Sequence, residues 1–325
     1  MSEESGTEDL GRSDPQEAAT AKPASKSALE TQGLSYRYGK FEAVRNLSLS
    51  VLEGEIYGFL GRNGAGKTTT IKLLMGMLKS RTGSVRCFDL PPSRRTDVAA
   101  KRRIGYVSQE QHFYPWMTGD ALGRFVGRLY PSWDDDEFLR LLARFEIPRN
   151  RRSGALSSGM RTKLALALAL APKPDLLVLD EPMAGLDAVA RREFLDLVQD
   201  QSRADGRTTF FSSHRIHEVE RICDRIGMID RGSLVYEGTI AALQASVREL
   251  RRADVEGQEA PPLPDGTSLL HEEVRDGFRS RIVRAQEGTN LDGIAIDGDE
   301  VREVSLEDIF VAMLRDQASG MRVAR

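Results

Sequence analysis

Eight consecutive residues, Gly61-Arg62-Asn63-Gly64-Ala65-Gly66-Lys67-Thr68, carry the strongest chemical signal in the chain. Glycines at these spacings let the backbone curl so that successive N–H groups point at one anion. Lysine placed directly after them brings a positive charge to a phosphate, and the hydroxyl of the next residue suits Mg²⁺. The pattern is that of a P-loop. Gly61, Arg62, Asn63, Gly64, Ala65, Gly66, Lys67, Thr68 and Thr69 are therefore expected to bind the phosphates of ATP.

A second constellation lies in Leu176-Leu177-Val178-Leu179-Asp180-Glu181-Pro182. An apolar run of this length reads as a buried strand that delivers two adjacent carboxylates at its carboxyl end. Asp180 is expected in the Mg²⁺ shell with Thr68, and Glu181 is expected to face the γ-phosphate and polarise a water. Two acids ending a strand would by themselves read as a solvated turn. The P-loop gives them a chemical purpose.

Both constellations need a scaffold. Ile56–Leu60 reads as the strand feeding the loop, and Leu47, Leu49 and Val51 alternate with serines as a second strand. After the loop, Ile71, Leu73, Leu74, Met75 and Leu78 fall at helical spacing, so a helix is expected from Thr68 to a stop at Arg81-Thr82-Gly83. Residues 110–171 read as mostly helical. Ser132 with Asp135 resembles a capping box for a helix whose Phe138, Leu141, Leu142 and Phe145 share a face. Leu164 to Ala171 alternates leucine with alanine; both are strong helix formers, which predicts a helix buried on most sides. A helix from about Ala188 to Arg203 separates the strand at Leu176 from another at Thr208–Ser212. This alternation predicts an α/β fold with a sheet covered on both faces.

Composition bounds the function. At 325 residues the chain suits about two domains, and 49 acids against 46 bases give a net charge of −3. Nothing there recommends nucleic acid as a partner. Cys87 and Cys223 have no metal-ligand spacing, the amino terminus is acidic where a secretory signal would be basic, and the longest apolar stretch stops at Pro172. A cytoplasmic chain without a transmembrane segment is expected. Residues 1–29 are too polar to bury much surface and are expected to be a disordered tail. The main domain is then 30–245. Pro261, Pro262, Pro264 and Asp265-Gly266 mark a break inside a small accessory domain, 246–325. That domain has short apolar stretches at Phe278–Val283 and Ile294–Ile296. It closes with a helix capped by Ser305 and Asp308 that carries Leu306, Ile309, Phe310, Met313 and Leu314 on one face.

In this order the motifs resemble the nucleotide-binding subunit of an ATP-binding cassette (ABC) transporter, over residues of about 32–240. The resemblance implies a P-loop ATPase domain of α/β class with a helical subdomain, followed here by a small C-terminal α+β domain. It implies that Tyr38, followed by Gly39, stacks on adenine in preference to Tyr36, with Val44 beside the ribose. Gln109 would touch Mg²⁺ and the attacking water and link to a membrane partner. Leu156-Ser157-Ser158-Gly159-Met160 stands where the family signature stands, so Ser157 and Gly159 would reach the ATP of an opposite subunit. Asp187, in Gly185-Leu186-Asp187, matches the D-loop, and His214, after Ser212-Ser213, matches the switch histidine that bonds the γ-phosphate. The signature departs from Leu-Ser-Gly-Gly-Gln at Ser158 and Met160. Ser158 would carry strain only if that position required φ > 0.

The implied protein is an ATPase using ATP and Mg²⁺, peripheral on the cytoplasmic face of the cell membrane. It would work as a homodimer, or as a heterodimer with a second ABC ATPase subunit, driving a separate transmembrane subunit. Tyr130-Pro131-Ser132-Trp133-Asp134 and the closing Ser305-Leu306-Glu307-Asp308-Ile309-Phe310 resemble the type-2 exporter branch. An importer subunit and a soluble ABC-type ATPase with a non-membrane partner are the alternatives. Against the soluble forms stand a single P-loop and only a short stretch between Gln109 and Leu156.

Overall fold

The computed structural model describes residues 26–88, 98–255, 260–286 and 298–323, together with Thr289 and Leu291. Its centre is a six-stranded sheet in the order β5 (Ile104–Val107), β6 (Leu176–Asp180), β7 (Thr208–Ser213), β3 (Ile56–Gly61), β8 (Arg225–Asp230), β9 (Ser233–Thr239). The first five strands run parallel, and β9 returns antiparallel to β8. Every residue of β3, β6 and β7 is buried. That burial follows from packing on both faces and explains why these strands read as continuous apolar runs.

On one face lies an antiparallel sheet of β2 (Phe41–Leu52), β1 (Ser27–Tyr38) and β4 (Thr82–Cys87). Its Leu29, Leu34, Leu47, Leu49 and Val51 pack with Tyr57, Phe59 and Phe210 of the central sheet and with Ile71 and Leu74 of α1 (Lys67–Leu74). The other face carries the larger cluster. This joins α3 (Gly119–Gly127), α4 (Asp135–Arg144), α5 (Ser158–Leu170), α6 (Ala188–Ala204) and α7 (Ile216–Ile222) to the sheet. A short α2 (Val98–Arg102) precedes β5. Leu164 to Ala171 is buried throughout and helical as far as Leu170, as its residue types predict.

Beyond α8 (Ile240–Ala245), β10 (Val247–Ala253), β11 (Thr267–Arg275), β12 (Phe278–Ala285) and β13 (Glu300–Glu303) form a second antiparallel sheet in the order β11-β12-β10-β13. Its Val247 and Leu270 share the larger cluster with Leu306, Ile309 and Phe310 of α9 (Leu306–Val323). The carboxy-terminal part thus leans on the main body through one continuous apolar core. Ser305 caps α9 as expected: its Oγ accepts from the Asp308 N–H at 3.1 Å and donates to the Asp308 carboxylate at 2.6 Å.

Several local expectations are corrected. Asp134, not Ser132, caps α4; its carboxylate accepts from the Glu137 N–H at 2.9 Å and adds negative charge at the helix amino end. Ser132 instead donates to the Pro172 carbonyl at 2.7 Å. α1 stops at Leu74, well before Arg81. Gly76 at φ 64° turns the chain so that the Met77 and Leu78 N–H groups both reach the Lys72 carbonyl. Thr82 and Gly83 then open β4. β1 begins at Ser27, inside the stretch 1–29 expected to be disordered, because Ala28 and Leu29 are apolar enough to be buried. Residues 1–25 and the Ile294–Ile296 stretch lie outside the described residues.

Candidate functional site

The P-loop leaves β3 at Gly61 and enters α1 at Lys67. Gly64 at φ 80° and Gly66 at φ 113° occupy backbone conformations that L side chains rarely adopt. Gly66 also has no room for a side chain, since a Cβ there would lie 2.5 Å from the Ala43 carbonyl oxygen. The loop is held at its base, where the Ala65 carbonyl accepts from the Gly232 N–H and the Gly232 carbonyl from the Arg45 N–H, both at 2.8 Å. Arg62, Asn63 and Gly64 are exposed, Ala65 and Lys67 are buried, and Gly66, Thr68 and Thr69 lie between. Lys67 Nζ donates to the Gly61 carbonyl at 2.6 Å and the Arg62 carbonyl at 3.0 Å, and pairs with Glu181 Oε1 at 2.9 Å.

β6 delivers its two acids beside this loop. Thr68 Oγ1 donates to Asp180 Oδ1 at 3.2 Å, and Ser212 Oγ donates to the same oxygen at 3.1 Å. Burial pushes the Asp180 carboxyl above its ordinary value, while these two hydrogen bonds pull it down. Glu181 lies at φ 44°; its N–H donates to Ser212 Oγ at 3.0 Å, and its Oε2 sits 2.9 Å from His214 Nδ1. One carboxylate therefore spans the lysine of the P-loop and the histidine after β7. Ser212 is the residue that sequence reasoning missed; its place opposite Asp180 follows from strand register, which the sequence does not display.

The outlying expectations divide. Tyr38 is 47% exposed, whereas Tyr36 packs partly into the core between the two sheets, its ring edge-on to Tyr38. An exposed ring face at Tyr38 suits stacking. Val44 has no exposed surface and belongs to that core, so in this structure it offers no surface to a ribose. Gln109 is exposed, lining a cleft of about 480 Å³ with Ser158 and Ala184. Ser157 caps α5, its Oγ accepting from the Met160 N–H at 3.2 Å, and Asp187 caps α6, accepting from the Ala190 N–H at 2.8 Å. Ser157 and Asp187 are exposed and Gly159 is half-buried. Among the described residues no hydrogen bond joins Gln109, Ser157, Gly159 or Asp187 to the Lys67–Glu181–His214 group. Ser158 starts α5 with an ordinary negative φ, so the departure from glycine there stores no backbone strain.

The donor set fits a phosphate ligand and a hard cation. Thr68 and Asp180 offer only oxygen, the loop offers backbone amides and Lys67, and no group of three or more His, Cys, Asp or Glu able to hold a metal occurs among the described residues. Mg²⁺ would fit such a site, with the Thr68 hydroxyl and the Asp180 carboxylate as the protein groups that would hold it.

Comparison with known proteins points the same way. A family model described as "ABC transporter" matches residues 44–184. The uncharacterized ABC transporter ATP-binding protein sll0415 of Synechocystis is 30% identical over 315 residues, covering 91% of this chain and 87% of that protein. The linearmycin resistance ATP-binding protein LnrL of Bacillus subtilis is 34% identical over 217 residues, covering 65% and 69%. A solved structure of an ATP-binding subunit of an ABC transporter superposes with a TM-score of 0.62 at 26% identity, over 67% of this chain and 92% of that one. No helix among the described residues is long and apolar enough to cross a membrane.

Proposed function

Because this chain belongs to the ABC transporter family, as an ATP-binding and ATP-hydrolysing subunit, we propose that Lys67, Thr68, Asp180, Glu181 and His214 form its hydrolytic centre and that it drives export through a separate transmembrane subunit. One observation carries this reading. Glu181 is shared between the phosphate-binding lysine and a histidine, beside a carboxylate already bonded to Thr68.

The amides of residues 62–66 and Lys67 bind the β- and γ-phosphates of ATP, and Tyr38 stacks on the adenine. Thr68 and Asp180 would hold Mg²⁺, which would neutralise charge on the same phosphates. Lys67 exchanges one anionic partner for another as phosphate arrives, which frees the Glu181 carboxylate to accept a proton from water. The water oxygen then bonds to the γ-phosphorus, the bond to the β-phosphate oxygen breaks, and ADP and inorganic phosphate leave. His214 orients Glu181 through its Nδ1 and offers the ring to the γ-phosphate.

Among the described residues Ser157, Gly159 and Asp187 form no hydrogen bond with these groups in their own chain, and Ser157 and Asp187 are exposed. This supports their use against the ATP of a second ABC ATPase subunit, identical or related, in a dimer that closes on ATP and reopens after hydrolysis. Gln109, exposed beside the signature, would sense the transmembrane partner. Outward transport is supported by LnrL, a relative named for linearmycin resistance, an effect that carrying the compound out of the cell would produce. Residues 30–245 would be the ATPase domain, and 246–325 an accessory domain resting on it. The subunit would lie on the cytoplasmic face of the membrane. Affinity purification of the tagged chain from detergent-solubilised membranes tests this. A multi-spanning membrane protein should copurify in stoichiometric amount; a chain recovered only from the soluble fraction, without one, would contradict it.

A further inference from the structure

β6 and β7 run in parallel register with Asp180 opposite Ser212, whose side chain has no exposed surface. Its hydroxyl is used twice, accepting from the Glu181 N–H at 3.0 Å and donating to Asp180 Oδ1 at 3.1 Å. The polarity is fixed. An amide can only donate, so the hydroxyl receives that bond and gives its one proton to the carboxylate. Glu181 meanwhile holds φ 44°, a conformation that a residue with a Cβ keeps only when its surroundings impose it. That backbone turn lets the Glu181 carboxylate reach Lys67 and His214 while Asp180 faces Thr68.

We propose that Ser212 is a positioning residue for hydrolysis: its hydroxyl clamps the Asp180–Glu181 peptide so that the two neighbouring carboxylates point at different partners. Ser212 has no exposed surface to offer a ligand and acts through Glu181. The proposal rests on Glu181 as proton acceptor. Removal of the hydroxyl should leave the P-loop amides and Tyr38 untouched, so nucleotide binding survives while the chemical step slows.

Ser212→Thr and Ser212→Val test this as a pair, because the two side chains have nearly the same shape and share any crowding from the added methyl. Ser212→Thr should keep kcat within about threefold of the parent while Ser212→Val loses roughly thirtyfold or more, with KM for ATP within about twofold in both. ATP affinity measured in EDTA should be alike in the two. Ser212→Ala, which adds no bulk, should follow Ser212→Val in kcat, and it keeps the test open if both larger variants fold poorly. In a Glu181→Gln background Ser212→Val should cause no further loss of the single-turnover rate. Equal kcat for Thr and Val, or a fall in metal-free ATP affinity that matches the fall in kcat, overturns the Ser212 proposal. Near-parental turnover in Glu181→Gln alone overturns instead the reading on which it rests.

Discussion

Substituting alanine at the two positive-φ glycines of the P-loop should have unequal effects, because they differ in what a methyl group would meet. At Gly64, φ is 80° and nothing lies within 4 Å of the added Cβ. Backbone strain of about 1–2 kcal/mol, which the exposed loop sheds without ATP and must take up again to bind it, is then the whole cost. At Gly66, φ is 113° and the added Cβ would stand 2.5 Å from the Ala43 carbonyl oxygen, with Ile229 and Gly232 also in contact. Neither side yields cheaply, because the oxygen belongs to β2 and the loop is bonded to Gly232 and through it to Arg45. The loop must move by several tenths of an ångström, which tilts the first amides of α1 and Lys67 away from the phosphates. Gly64→Ala should therefore weaken ATP binding by roughly 5- to 30-fold, and Gly66→Ala by about 100-fold or more, at about tenfold per 1.4 kcal/mol. Titration with a fluorescent ATP analogue measures both, and thermal melts confirm that each variant is folded. Equal losses, or tight binding by Gly66→Ala, would refute the placement of the loop against Ala43.

Tyr38→Ala should weaken ATP binding by about 0.5–3 kcal/mol while Tyr38→Trp is nearly neutral, since any aromatic face suffices; Tyr36→Ala, partly in the core, should lower the melting temperature instead, and the reverse pattern would move the stacking role to Tyr36. Ser158→Gly should change ATPase activity by no more than about twofold, because Ser158 already has an ordinary backbone conformation and relieving absent strain gains nothing; a severalfold rise in activity would contradict this. Burial raises the Glu55 carboxyl above its ordinary value of 4.5, against the Leu52 N–H bond and Arg225. The folded chain thus holds that proton more tightly than the unfolded chain, so the contribution to stability is full at low pH and is lost as pH climbs from 4.5 toward the raised folded value. Glu55→Gln keeps an acceptor for Leu52 and should flatten the fall in melting temperature over that window; parallel curves for the two proteins would refute it.

The P-loop and the Asp180–Glu181 pair were legible in the sequence because their residue types are dictated locally: glycine by φ, lysine by charge, carboxylates by a strand end. The Leu/Ala run was legible for a similar reason, since two strong helix formers outweigh a period-two pattern. What the sequence hid depends on how distant segments meet. The bond from Glu181 to Ser212 exists only because β6 and β7 pair in one particular register. Val44 alternates into the core rather than toward a ligand, and Asp134 outcompetes Ser132 as a cap because Ser132 is drawn to the Pro172 carbonyl across forty residues of chain.

Glu181→Gln, measured for turnover and for assembly on ATP, tests the central claim most directly. Glutamine keeps an oxygen that accepts from Lys67 Nζ and places its NH2 where it can donate to an unprotonated His214 Nδ1, so the loop keeps its shape and ATP should bind as tightly as in the parent. Loss of the proton acceptor should lower kcat by about 10²–10⁴-fold. With hydrolysis blocked, size-exclusion chromatography with ATP should show a dimer that parental chains form only transiently. Turnover near the parental rate, with no ATP-dependent dimer, would contradict the account.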